Sequence, residues 1–176
     1  RSVYRSLTEL PQVVAVKYAG GASTGFRYHN DMAHTGRSFP LMPIETDWFP
    51  AWQMYGEELV GMTWSSTTAM GPRPVLELRD ALQQGRTEDA RWLTERLRWA
   101  HEPFLVGQDF MEFAKYNIPL EKIRINEAGY INVGRCRPPY TEDLVPEIHV
   151  KTTKEHVVRY KQILDEVEAR FGPRKS

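Results

Sequence analysis

The stretch LPQVVAVKYAGG, residues 10–21, decides the fold. Val13, Val14, Ala15 and Val16 form an unbroken apolar run of the length expected for a buried strand. Lys17 follows directly, and small residues follow it at Ala19, Gly20 and Gly21. An ammonium group at the end of so apolar a strand demands a reason. In parallel α/β proteins the carboxyl ends of the strands face the ligand, and catalytic side chains stand there. Apolar surroundings disfavour the ammonium form, and a partly neutral amine is a nucleophile that condenses with ketones to a Schiff base. The competing use of Lys17 is a side chain that snorkels from a strand end into solvent.

Outward from this stretch, the first seventy residues alternate between two periodicities. Val3, Leu7 and Leu10 have helical spacing, so the chain opens on a helix that precedes the first strand and reads as the continuation of something longer. After Gly20–Gly21 a helix is predicted over about Thr24–His34, then a short strand at Phe39–Met42. A second helix over Trp48–Tyr55 leads through Gly56 to a third strand at Leu59–Thr63. Strands separated by helix-length segments imply parallel βαβ units.

From Pro74 onward the pattern is helical. Val75, Leu78 and Leu82 recur at i, i+3, i+7, as do Ala90, Leu93 and Leu97, with Gly85 between the two runs. Thr87 followed by Glu88 and Asp89 marks the start of the second of these helices. Further helices are predicted over Asp109–Tyr116 and Leu120–Ala128. GYINVGRCRPPY, residues 129–140, is a loop broken by Gly129, Gly134, Pro138 and Pro139. A last helix over Lys154–Phe171 carries Val157, Tyr160, Leu164, Val167 and Phe171 as its apolar seam, suited to core packing.

Composition excludes several function classes. The 23 basic and 23 acidic residues among 176 cancel, which gives no electrostatic ground for nucleic acid or an anionic membrane as partner. No apolar run approaches the ~20 residues of a membrane span. The single cysteine, Cys136, has no internal partner for a disulfide, reads as a small packing residue, and fits a reducing compartment such as the cytoplasm. His29 and His34 are five apart and fall on different sides of a helix, while His149 and His156 straddle a predicted loop. With no Cys-x-x-Cys or His-Glu-x-x-His pattern, these read as exposed helix and loop histidines, and no metal is expected. No P-loop or Gly-x-Gly-x-x-Gly pattern occurs, so no cofactor is expected either. GASTG, residues 21–25, offers only a weak anion-binding turn.

Three parallel strands leave unpaired edges and cannot close a barrel. Two architectures fit: a small open α/β domain, or the C-terminal part of a (β/α)8 TIM barrel followed by a C-terminal helical extension. Such barrels run to ~250 residues, so the second requires strands N-terminal to Arg1. On that reading residues 1–73 hold the last three strands with their helices. Residues 74–176 hold the final barrel helix and the extension.

LPQVVAVKYAGG resembles the Schiff-base strand of the dihydrodipicolinate synthase / N-acetylneuraminate lyase family of class I aldolase-type barrels. FPLMPIETDWFPAWQMYGEELVGMTWSS resembles the next two strands and their helix, PVLELRDALQQGRTEDARWLTERL the helix pair after the barrel, and EKIRINEAGYINVGRCRPPYTED the late segment with a glycine turn before an arginine and proline. The resemblance runs over essentially the whole chain in order. It implies a lyase (aldolase, hydratase-aldolase or dehydratase) acting on pyruvate or a related 2-keto acid and possibly an aldehyde, with Lys17 as the imine-forming residue. It also implies a homo-oligomer, dimer or tetramer. The family's carboxylate-binding glycine/threonine loop and proton-relay tyrosine match nothing here and are expected N-terminal to Arg1.

In the family the last two strand ends line the pocket, and here they read Pro43-Ile44-Glu45-Thr46 and Thr63-Trp64-Ser65-Ser66. Glu45 and Thr46 are candidates to hydrogen-bond a polar substrate tail, and Thr63 to contribute its carbonyl or hydroxyl. Trp64 is a candidate floor for a less polar or aromatic aldehyde, with plain packing as its competing use. Gly20 leaves room for close backbone approach to a ligand. Tyr18 points opposite Lys17 and reads as packing. The alternatives to an enzyme are a non-catalytic homologue that senses a keto acid or sugar acid in the same pocket, and a fragment with only an assembly role.

Overall fold

The computed structural model describes residues 6–18, 31–32, 41–56, 59, 61–105 and 109–173. Strands β1 (Val16–Tyr18) and β2 (Leu41–Pro43) pair in parallel, with Val16 opposite Leu41, Lys17 opposite Met42 and Tyr18 opposite Pro43. A 3-10 turn at Glu45–Asp47 leads into α1 (Trp48–Tyr55), and another covers Ser66–Met70. Helices α2 (Arg73–Gln83) and α3 (Thr87–His101) follow, then a turn at Glu102–Leu105, α4 (Phe110–Ala128) and α5 (Glu147–Phe171). The class is α/β, mostly helical with a small parallel sheet.

The strand-and-helix start of the chain follows the predicted order with altered bounds. Val13–Ala15 lie outside the ladder, and Val14 is largely exposed, because a strand extends only as far as its partner, here three residues of β2. The predicted strand Leu59–Thr63 is not in strand conformation at any of its described residues. One ladder-like bond remains, from the Thr63 amide to the Pro43 carbonyl at 2.8 Å. Pro43 has no N–H to return, so the pairing cannot propagate on that side. Gly61 is fixed by close approach: a Cβ there would stand 2.5 Å from Met42 Sδ. The predicted helix 24–34 lies outside the described residues except for Asp31 and Met32, both helical and buried.

In the helical half, α1 has the bounds read from sequence, and α3 opens at Thr87 as expected. Gly85, at φ +68°, permits the left-handed turn in which the Arg86 amide reaches back to the Ala81 carbonyl at 2.8 Å. The two helices predicted on either side of Pro119 are one. Asp109 caps α4 by accepting from the amides of Met111 and Glu112, both at 3.0 Å. Burial of Pro119 and Leu120 then carries the helix across a proline that costs about 3 kcal/mol in an isolated helix. Helix α5 begins at Glu147, about two turns before the predicted start. Its buried residues are His149, Thr153, His156, Val157, Tyr160, Ile163 and Val167, so Val157, Tyr160 and Val167 of the predicted seam are buried as read, while Leu164 and Phe171 are only partly buried. His149 and His156 therefore lie on a helix and are buried, not in a loop and exposed. Their polar character hid the seam. The loop from Gly129 to Tyr140 is as read.

The chain divides into two compact units, Arg1–Ser65 with Ala81–Thr94, and Ser66–Asp80 with Glu95–Ser176. The first is cored by Tyr18, Met32, Leu41, Ala51 and Leu59. In the second, α4 packs on α5 around Phe104, Phe113, Leu120 and Val145. Among the described residues its interior holds the fully buried charge of Arg124. The Arg124 guanidinium donates to Glu121 at 2.7 Å, to Thr67 at 2.9 Å and to Ser66, and lies 4.1 Å over the Phe104 ring. A buried guanidinium holds its place only when its donors are matched in this way. The Tyr160 hydroxyl donates to the Gly71 carbonyl at 2.7 Å, and Arg96 forks onto both oxygens of Glu166 at 2.7 Å.

Beside Arg124, His101 and His156 sit with ring centroids 5.3 Å apart. Burial, then the Arg124 charge, lowers the pKa of His101 to about 3, and that of His156 falls well below its usual value for the same reasons. Both rings are neutral in the fold. The unfolded chain takes up these protons near pH 6.5, the folded chain only far below it. Stability is therefore full above about pH 6.5 and declines as pH falls below it, for His101 through the window towards 3, by up to about 1.4 kcal/mol per unit, with His156 adding in the same direction. Urea denaturation between pH 7.5 and 5 should show this slope. His156→Phe, which keeps the ring and removes two nitrogens without partners, should flatten it. An unchanged slope in that variant would contradict the assignment.

Candidate active site

The Lys17 side chain leaves β1 on the face opposite Tyr18, as strand alternation requires. Tyr18 is buried in the first core, and its hydroxyl donates to Asp31 Oδ2 at 2.8 Å. Lys17 is exposed, and its Nζ donates to the backbone carbonyl of Trp64 at 2.9 Å. The setting thus differs from the apolar one expected at this strand end: the nitrogen is held by a carbonyl. A carbonyl only accepts, so this bond fixes the nitrogen through one of its N–H groups.

Trp64 joins the lysine through its main chain, and the residue is 59% exposed among the described residues. Thr63 is turned inward. Its amide and hydroxyl meet the Pro43 carbonyl at 2.8 and 3.2 Å, and its own carbonyl accepts from the Trp48 indole at 2.7 Å. Glu45, read as a partner for a substrate tail, is 1% exposed, and both of its oxygens are engaged by Ser65. Thr46 is buried beside it in the same 3-10 turn. Gly20 lies outside the described residues, as do His29 and His34.

The structure therefore brings Lys17, Glu45, Thr63 and Trp64 to one end of the β1–β2 pair. Two participants had no role in the sequence reading. Trp48 clamps the two strand ends, its indole N–H shared between the carbonyls of Pro43 at 3.0 Å and Thr63 at 2.7 Å. Ser65 links Glu45 to this corner. The signal for Trp48 was an indole one helical turn after a strand end, where its N–H needs a partner when buried. Among the described residues, no group of three or more His, Cys, Asp or Glu side chains is placed to hold a metal ion. A surface groove of about 480 Å³ lies in the second unit, lined by Ile123, Arg135, Glu142 and Lys154 among others, and holds none of the predicted residues.

Comparison with known proteins finds relatives over most of the chain. The chain is 38% identical over 139 residues to trans-2'-carboxybenzalpyruvate hydratase-aldolase of Nocardioides sp. (strain KP7), covering 79% of this chain and 42% of that protein. It is 37% identical over 155 residues to trans-O-hydroxybenzylidenepyruvate hydratase-aldolase of Sphingobium xenophagum, covering 86% and 45%. Among solved structures, "PhdJ bound to substrate intermediate" superposes with a TM-score of 0.83 at 34% identity, over 94% of this chain and 50% of that one. The chain is a relative of the hydratase-aldolases. These are lyases of the dihydrodipicolinate synthase-like family, so the resemblance read from the Lys17 strand onward holds. The chain spans less than half the length of the curated relatives it matches, over their C-terminal part. No protein-family model matches it. No described helix is long and apolar enough to cross a membrane.

Replacing Trp48 by Phe keeps the ring and deletes the shared N–H. The Thr63 carbonyl is left short of a donor, while the Pro43 carbonyl keeps those of Thr63, and the loss is expected to be about 1 kcal/mol in urea denaturation. Wild-type stability in Trp48→Phe would contradict the clamp.

Proposed function

We propose that the protein is a Schiff-base lyase, a hydratase-aldolase acting on pyruvate-containing substrates, with Lys17 as the nucleophile. The observation that carries this reading is the placement of Lys17 in β1, on the face opposite the buried Tyr18, its Nζ held on the Trp64 carbonyl, in a chain related to hydratase-aldolases. The relatives are named as enzymes, which favours catalysis over a sensor that merely binds keto acids.

In this reading the amine adds to the C2 ketone of the substrate, and loss of water from the carbinolamine gives the imine. The protonated imine withdraws electrons from the neighbouring bonds. Water adds to the conjugated double bond of an arylidene-pyruvate imine, and the new hydroxyl then loses its proton. The carbon–carbon bond next to the enamine position breaks, releasing an aldehyde. The enamine takes up a proton, and hydrolysis returns pyruvate and the free lysine. No external oxidant or reductant is needed. The relatives' names pair pyruvate with an aromatic ring, and the exposed Trp64 indole beside the lysine is the surface we assign to that ring. Gly20 and Thr46 are assigned to the rest of the substrate-facing wall.

The same reading makes the β1–β2 pair part of a (β/α)8 barrel, with residues 1–73 supplying its last strands and 74–176 the final helix and extension. It also places the protein in the cytoplasm as a homo-oligomer.

Full-length protein incubated with pyruvate and borohydride should gain a covalent adduct, mapped by mass spectrometry to Lys17 and absent in Lys17→Arg. Thermal stabilisation by pyruvate with no adduct would move the protein to the sensor class. Trp64→Ala should leave the pyruvate adduct intact and lower kcat/KM for an arylidene-pyruvate about tenfold or more, the effect of losing one aromatic contact. Equal loss of both would contradict the assignment of the ring.

A further inference from the structure

The Trp64 carbonyl that receives Lys17 and the Ser65 amide that donates to Glu45 belong to one peptide bond. Ser65 N donates to Glu45 Oε2 at 2.7 Å, and the Ser65 hydroxyl donates to Glu45 Oε1. Lys17 Nζ donates to Trp64 O at 2.9 Å. A peptide unit is planar and trans, with its N–H and C=O on opposite sides. Whatever holds the N–H therefore fixes the direction of the C=O. Glu45 holds it with a carboxylate that is 1% exposed and engages Ser65 at two points, so the peptide can neither rotate nor slide.

We infer that Glu45 is a positioning residue for Lys17, acting through the Trp64–Ser65 peptide. The carboxylate sets the plane, the plane aims the carbonyl, and the carbonyl holds the amine at the strand end. Accepting from the N–H also polarises the amide, so that its oxygen becomes a better acceptor for the lysine. Both ends of the relay lie within the first compact unit. A carboxylate whose two oxygens are given to one serine, and which is closed off from solvent, serves orientation better than contact with a substrate tail. The inference rests on Lys17 being the imine-forming residue.

The test compares Glu45→Ala, Glu45→Gln and Ser65→Ala in the full-length protein, each checked by thermal melting. In Glu45→Gln the amide oxygen still accepts from the Ser65 N–H, and its NH2 reverses the second bond by donating to the hydroxyl. In Ser65→Ala only the hydroxyl contact is lost. The rate of pyruvate-dependent borohydride trapping at Lys17 should fall on the order of 100-fold in Glu45→Ala, the cost of displacing a reacting group by about 1 Å. It should recover to near the wild-type rate in Glu45→Gln and fall between the two in Ser65→Ala. KM for pyruvate should move little in all three, since Glu45 makes no contact with substrate. Wild-type trapping in Glu45→Ala overturns the inference, as does a Glu45→Gln variant no faster than Glu45→Ala. If the wild-type protein forms no adduct at all, it is the Schiff-base reading that fails. Crystal structures then decide the positioning claim separately. Lys17 Nζ should have left the Trp64 carbonyl in Glu45→Ala and kept it in Glu45→Gln; an unmoved lysine in Glu45→Ala overturns the claim.

Discussion

The hydrogen bond from Lys17 Nζ to the Trp64 carbonyl is the constraint on which the candidate site depends. It joins the end of β1 to the segment beyond β2, and every neighbouring contact bears on its two ends. Tyr18 roots β1 in the core on the far face. The Trp48 indole ties the carbonyls of Pro43 and Thr63 together, which fixes the residue just before Trp64. Ser65, just after it, is locked to Glu45. Trp64 is thus held on both sides along the chain while its indole stays open to solvent. A mobile lysine is made directional by a rigid acceptor, and the aromatic surface beside it is left free.

The second unit solves a different problem, that of burying charge. Arg124 enters the interior of a helix pair, and its cost is met by Glu121, Ser66, Thr67 and the face of Phe104. The fixed positive charge has a consequence for its neighbours. His101 and His156 are held neutral by burial and by Arg124, which makes this unit sensitive to acid well before its carboxylates titrate. The acid-sensitive histidines and the Lys17 corner are separate sets of residues.

What was legible in the sequence was whatever local periodicity and position encode. Trp48–Tyr55 and the Thr87 start could be read because apolar spacing and acidic first-turn residues act within a few positions. Lys17 drew notice because a cation at the end of an apolar run is a local anomaly, and its chemical role is a proposal. The rest was decided by partners distant in sequence. Pro119 looks like a break until the burial of Leu120 and the Asp109 cap outweigh it. His149, Thr153 and His156 look like a polar surface, yet they are the inward seam of α5. Glu45 looks like a substrate ligand at a strand end. Its engagement by Ser65, twenty residues on, is invisible to any window-based reading. At the described residues of Leu59–Thr63 no ladder is assigned, and Pro43, which accepts from the Thr63 amide, has no N–H to return.

The proposed function has one requirement: the Lys17 nitrogen, at its place on the Trp64 carbonyl, is the atom that bonds to the substrate ketone. A crystal structure of the full-length protein grown with pyruvate tests this most directly. The prediction is continuous density from Lys17 Nζ to pyruvate C2, with the Trp64–Ser65 peptide still held by Glu45. Pyruvate bound elsewhere, with Lys17 unmodified and turned to solvent away from Trp64, would contradict it.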